Sequence, residues 1–184
     1  GSFGLPLPDV NCKIVAIDDE NKIMNIGEAG ELLIKGPQVM AGYYLNPQET
    51  ASTLKDGWLH TGDVVRMTED GFFYFVDRKK DVIKVGGFQV WPQEIEDVLL
   101  SMPGIKEAAV AGISAQLGEE KVVAWIVAEG GVNLPESQIR EHCLKSLAAY
   151  KIPQEIIFLD RIPRTSVGKI SRRQLVEKYF EKRP

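Results

Sequence analysis

Apolar and polar positions change rhythm partway along the chain. Up to about Val76 the apolar residues fall in short runs broken by turn residues, the pattern of strands. Residues 12–17 and 31–35 read as two strands, with Asp18-Asp19-Glu20-Asn21 and Gly27 as the turn region between them. Asn46-Pro47 opens a short helix to about Leu54, because Asn caps well and Pro suits the first helical position; Asp56-Gly57 is expected to end it. Residues 64–67 and 72–76 read as strands joined by a Glu69-Asp70-Gly71 hairpin, and residues 82–85 as a further apolar run ahead of Gly86-Gly87.

Beyond Arg78-Lys79-Lys80 helical spacing appears. Pro92 opens a helix with Ile95, Val98, Leu99 and Met102 on one face, and Pro135 opens another with Ile139, Cys143, Leu144 and Leu147. Residues 105–113, 121–128 and 156–159 read as strands, and Ser171 as the cap of a last helix to about Phe180. The fold class is α+β. A β-rich part, residues 1–77, precedes a small α+β domain, residues 78–184, with a three-stranded sheet and flanking helices.

Composition adds little to this picture but excludes several classes. The 184 residues are 44% hydrophobic and 26% charged, as in ordinary globular chains. A net charge of -4 gives no basis for nucleic-acid binding, although Arg78-Lys79-Lys80, Arg172-Arg173 and Lys182-Arg183 are local basic clusters, the last of them a solvated face by default. Cys12 and Cys143 match no metal spacing, so a reduced cytoplasmic chain is the default. No run of 18 apolar residues exists, which excludes a transmembrane anchor and leaves peripheral membrane association open. The opening Gly1-Ser2-Phe3-Gly4-Leu5-Pro6 has no initiator methionine and reads like the middle of a longer protein.

Three segments are candidates for chemistry. Pro163-Arg164-Thr165-Ser166-Val167-Gly168-Lys169-Ile170 sets a lysine at the end of a polar loop, able to bring a point charge to a phosphate or carboxylate. It is not a Walker A loop, which needs Gly at Pro163 and Ser or Thr at Ile170. Thr61-Gly62-Asp63 is expected in a loop ahead of a strand, where Asp63 is either a turn residue or an acceptor for a vicinal diol. In Asp77-Arg78-Lys79-Lys80-Asp81 charges alternate, then Lys84 stands inside an apolar run before the paired glycines. This is either a charged linker or a site that a ligand approaches closely. His60 and His142 have no partner in the sequence, and His142 is expected at the surface of its helix.

Four ordered blocks resemble the adenylate-forming superfamily, which includes acyl-CoA synthetases, 4-coumarate–CoA ligases, firefly luciferase and peptide-synthetase adenylation domains. They are Gly30–Gly36 with Gly42-Tyr43-Tyr44, Gly57-Trp58-Leu59-His60-Thr61-Gly62-Asp63, Gly71–Glu96, and Pro163–Arg173. The resemblance implies an enzyme that joins a carboxylic acid to ATP as acyl-adenylate and then passes the acyl group to coenzyme A. It implies that Asp63 and Arg78 hold the nucleotide ribose and that Asp77–Lys80, with Asp77 and Lys80 at its ends, is a hinge. It implies that Lys169 stabilises charge during adenylation. By the same resemblance Lys84 and Gln89 are expected to face the adenylate during thioester formation, and Gly86 and Gly87 to line the thiol path. Gly168-Lys169-Ile170 with Arg172-Arg173 looks more like the CoA ligases, fatty-acid–CoA ligases above all, than like modules that charge a carrier protein; a non-catalytic binding module is the remaining alternative.

The family's ATP phosphate loop, its magnesium (Mg2+) motif and its acyl pocket do not occur in these 184 residues. By the resemblance residues 1–77 are then the tail of the large AMP-binding domain, and the isolated chain is expected to be inactive. Residues 1–77 are expected to expose apolar surface, open to homodimerisation. The Thr165–Lys169 loop is expected to be mobile.

Overall fold

A computed structural model describes residues 1–114, 119–130, 132 and 134–181; the Lys182-Arg183 cluster lies outside these. The chain divides into two compact units, Gly1–Lys80 and Asp81–Pro184.

The first unit is a six-stranded antiparallel sheet with one short helix. Its strands are β1 (Ser2–Gly4), β2 (Asn11–Val15), β3 (Gly30–Lys35), β4 (Leu54–Lys55), β5 (Trp58–Met67) and β6 (Phe73–Arg78). The order is β1-β6-β5-β3-β2, with β4 against β5. Ile14, Leu32, Val65 and Phe73 form the core on one side. Helix α1 (Pro47–Thr53) starts as the sequence predicts: the Asn46 side chain accepts the Glu49 N–H and Pro47 takes the first helical position. It ends earlier than expected. Leu54 and Lys55 turn extended to pair with β5, and Asp56 and Gly57, both at positive φ, make the hairpin turn instead of the helix stop. Phe3, Leu5, Leu7, Ile23, Ile26, Tyr43, Tyr44, Leu45, Phe72 and Phe75 are exposed, as expected for this half.

The second unit is built on a three-stranded sheet in the order β11 (Glu155–Phe158), β10 (Glu120–Ala128), β9 (Ile105–Ser114). Strand β10 is antiparallel to β9 and parallel to β11. Alternation along the strands sends residues to two different cores. Ala108, Val110, Val122, Ala124, Ile126 and Ile156 pack with Ile95 and Leu99 of α2 (Pro92–Leu100) and Ile139 and Cys143 of α3 (Glu136–Leu144). The same core takes Ile83 and Val90 from a hairpin of β7 (Ile83–Val85) and β8 (Phe88–Val90). Ala109, Ala111, Ile113, Val123, Trp125 and Val127 face the other way, onto Leu175 and Tyr179 of α4 (Arg172–Glu181) and onto Ile162. The sheet is therefore a central layer, with α2, α3 and the β7–β8 hairpin on one face and α4 on the other.

One expected core residue is not in the core. Leu144 is 58% exposed because α3 ends there, and Leu147 is buried from the turn that follows. His142 does not simply face solvent: its Nε2 lies 2.9 Å from Ser101 Oγ and 3.0 Å from the Val98 carbonyl, linking α3 to the end of α2. Among the described residues no helix is long and apolar enough to cross a membrane.

Candidate functional site

Thr61-Gly62-Asp63 lies inside β5 and not in a loop ahead of it, which corrects the sequence expectation. Strand β3 pairs Leu33 with His60 and Glu31 with Val64, so three residues of β5 stand opposite Leu32 alone. This is a bulge, a device that re-aims side chains beside functional sites. Gly62 sits at φ +69, which disfavours a side chain, and its N–H points to Glu31 Oε1 at 3.3 Å. Thr61 Oγ1 donates to the Leu32 carbonyl at 2.7 Å and accepts the Asp63 N–H at 3.1 Å. The hydroxyl thus replaces the ladder bonds that the bulge interrupts.

The bulge sets Asp63 directly across from Arg78, the last residue of β6. Arg78 Nη1 lies 2.8 Å from Asp63 Oδ1 as an ion pair, but Oδ1 is buried and receives no directed hydrogen bond. The Asp63 side chain as a whole is 31% exposed, so the accepting surface it offers a ligand lies away from that buried oxygen. Behind it, Glu31 is 2% exposed and holds Lys79 Nζ at 2.7 Å. His60 Nδ1 is 3.6 Å from the same carboxylate, and His60 Nε2 is 3.8 Å from Glu20. The hydrogen bond from Lys55 draws the Glu20 carboxyl below its ordinary value. Glu31 was not singled out from the sequence; its place inside an apolar strand is the signal that could have marked it. Asp77 is buried opposite Val64, and Lys79–Asp81 forms one 3-10 turn where the chain leaves the first unit.

In the second unit Gly86 and Gly87 form the two-residue turn of the β7–β8 hairpin. Their φ values of +55 and +80 fit a type I′ turn, which needs positive φ at both centres. Lys84 and Gln89 are directly opposed. Since Ile83 and Val90 fill the core, Lys84 and Gln89 project from the other side of the ribbon. The Lys84 N–H is held by Glu120 Oε2 at 2.7 Å.

Lys169 also sits on a hairpin. Arg164 and Ile170 form an isolated bridge, Thr165 N–H donates to the Lys169 carbonyl at 2.7 Å, and Gly168 N–H donates to the Thr165 carbonyl at 2.9 Å. Ser171 N–H donates to the Pro163 carbonyl at 2.9 Å, closing the base. A composition that suggests a loose loop therefore gives a closed turn, because its own backbone groups satisfy one another. The Lys169 ammonium is exposed and has no ion-pair partner among the described residues.

The two hairpins occupy opposite faces of the sheet. Arg164 is ion-paired to Glu107, and Ile170 joins the α4 core. On the other face, a side chain at Gly112 would run into Ile83 and Glu120. Glu107 and Gly112 stand about 16 Å apart along β9. Nucleophilic cysteine chemistry has no support, since burial pushes both the Cys12 and Cys143 thiols up. Among the described residues no three His, Cys, Asp or Glu side chains gather to hold a metal.

Comparison with known proteins gives one answer throughout. Residues 94–169 match the AMP-binding enzyme C-terminal domain, and residues 1–44 match the AMP-binding enzyme family. The long-chain-fatty-acid–CoA ligase of Salmonella typhimurium is 46% identical over 95% of this chain, and that of Haemophilus influenzae is 44% identical over all of it. The chain covers 31% and 32% of these two relatives, about a third of their length. Among solved structures, ATP-bound MatB from Rhodopseudomonas palustris matches with a TM-score of 0.91 and 34% identity, over 100% of this chain and 37% of that one. The o-succinylbenzoate CoA synthetase of Bacillus subtilis, in complex with its acyl-adenylate intermediate, matches at 0.85 and 35%, over 95% of this chain and 35% of that one. The bulge-borne Asp63 with Arg78 and the two lysine hairpins thus stand in sequence blocks and a fold shared with enzymes of one kind, and the chain belongs to the family of AMP-binding, adenylate-forming enzymes.

Proposed function

We propose that this chain is the nucleotide-closing and thiol-directing part of a fatty-acid–CoA ligase. In the first step a carboxylate oxygen attacks the α-phosphorus of ATP, and pyrophosphate leaves. In the second the sulfur of coenzyme A loses its proton and attacks the acyl carbon, and AMP leaves. Asp63 accepts hydrogen bonds from the ribose hydroxyls, and Arg78 holds both that carboxylate and the ribose. Lys169 lowers the charge that builds at the α-phosphate, a site where one preorganised cation has a large effect. Lys84 and Gln89 face the adenylate for thioester formation, and the bare Gly86-Gly87 turn leaves room for the thiol. Asp77–Lys80 is the hinge between residues 1–77, as the tail of the AMP-binding domain, and the mobile domain 78–184.

The placement of the Lys84 and Lys169 hairpins on opposite faces of one small sheet is the observation this reading rests on. Lys169 is needed while oxygen attacks phosphorus and is in the way when the thiol enters. Presenting one face and then the other resolves that conflict. The similarity to long-chain-fatty-acid–CoA ligases favours coenzyme A over a carrier protein as acceptor.

The test is a chimera in which this chain replaces the matching third of the Salmonella ligase. It should form AMP and acyl-CoA from a long-chain fatty acid, ATP and coenzyme A. A folded chimera that makes neither, or that charges only a carrier protein, overturns the proposal.

A further inference from the structure

Strand β9 is an edge of its sheet, and at Val110 that edge is closed from two sides. The Val110 N–H donates to Glu96 Oε1 at 2.8 Å, and its carbonyl accepts Arg172 Nε at 3.0 Å. Arg172 Nη2 also bonds both Glu96 oxygens, at 2.8 and 2.9 Å, and Nη1 lies 3.4 Å from Asp81 Oδ2. Glu96 is 4% exposed. Arg172 belongs to α4 on one face of the sheet, while Glu96 belongs to α2 on the other. The guanidinium therefore reaches round the strand edge and fastens the two faces to each other. A pair of apolar side chains would fill the same space. Only a planar fork of donors can also hold a strand carbonyl and the Asp81 carboxylate.

The position of this clamp in the chain gives it a consequence. Arg172 is the second residue after Ile170, which closes the Lys169 hairpin, and Asp81 is the second before β7. The β7–β8 hairpin has anchors of its own, in Ile83 and Val90 and in the bond from Lys84 N–H to Glu120. The exposed Lys169 hairpin is held by Ile170, by Arg164, and through Arg172. We infer that Arg172, with Glu96 and Asp81, is a positioning residue: it fixes the Lys169 hairpin to the point where the chain enters the second unit. A rotation at residues 77–80 then carries Lys169 as part of a rigid body. The inference rests on the function proposed above for Lys169.

Two measurements test it. In the 184-residue chain, Arg172→Lys keeps the charge but loses the fork. Amide exchange at Thr165 and Gly168 should speed up about tenfold or more while β10 amides stay protected. In the Salmonella chimera, Arg172→Lys and the milder Asp81→Asn should slow fatty-acid-dependent pyrophosphate exchange. About 10–100-fold is expected for Arg172→Lys, with thioester formation from supplied acyl-adenylate changed less than about threefold. Equal loss of both half-reactions, or unchanged exchange and unchanged adenylation in a folded Arg172→Lys, overturns the inference. If Arg172→Lys does not fold, Glu96→Met with Arg172→Met replaces the pair by apolar packing. Slowed adenylation in that folded double variant supports the clamp, and full adenylation overturns it. An inactive parent chimera would count against the proposed function, while the exchange arm would still read the clamp.

Discussion

Gly86 offers a substitution that separates turn geometry from access by the thiol. Its φ is +55, in the left-handed region, and a Cβ built there meets no atom within 4 Å. Gly86→Ala is therefore a backbone perturbation without a clash. The left-handed conformation costs an L-residue about 1–2 kcal/mol. Loss of freedom in the unfolded chain offsets about 0.4–1 kcal/mol of that. The net destabilisation is about 1 kcal/mol, or roughly 4–8 °C for a unit of this size. The loss should reach the whole unit, because the hairpin's Ile83 and Val90 are buried in the main core. Gly86→Asn should be close to neutral, since Asn-Gly is a preferred pair for a type I′ turn. Thermal melts of the 184-residue chain compare the two. Equal destabilisation by Ala and Asn, or by neither, would refute the turn argument. The chimera adds a second reading. If the bare turn also makes room for the thiol, the stable Gly86→Asn variant should still slow thioester formation and leave adenylation alone. Thioester formation at the parent rate would show that Gly86 serves the turn only.

Other expectations concern stability and the isolated chain. Ile126→Ala, at a fully buried site in the central strand, should lose about 2–5 kcal/mol in urea melts, while Ile23→Ala, 67% exposed, should stay within about 0.5 kcal/mol. The Tyr179 hydroxyl and then Glu155 hold the Lys121 pKa above its ordinary value. Its contribution should therefore be complete below the unfolded value of about 10.4 and decline as pH rises through the higher folded value. Lys121→Met should flatten that alkaline decline in melts taken across the range, and an unchanged slope would count against the network. The 184-residue chain by itself should give no carboxylate-dependent pyrophosphate exchange above a Lys169→Ala control.

The elements that the sequence revealed are those whose signals are local. Pro47 and Pro92 mark helix starts because proline suits the first turn, and Pro135 stands as the residue just before α3. Strands β9 and β10 are legible because both faces are buried and their apolar runs are long. What was missed depends on pairing. Thr61-Gly62-Asp63 looks like a loop until β3 lies beside it and shows three residues opposite one. Strand β4 exists only because β5 accepts it. The clamp was out of reach for the same reason, as Asp81, Glu96, Val110 and Arg172 are spread over 91 residues and meet only around a folded edge. Lys169 is legible as a lysine at the end of a polar, glycine-containing loop just ahead of a helix, but its closed hairpin does not follow from composition.

The most direct test of the central claim is a crossed comparison of half-reactions in the Salmonella chimera. Lys169→Ala should slow adenylation by roughly 10²–10³-fold, with thioester formation from supplied acyl-adenylate little changed. Lys84→Ala should do the reverse. If each substitution slows both half-reactions equally, the two hairpins do not serve separate steps, and the two-face account is wrong.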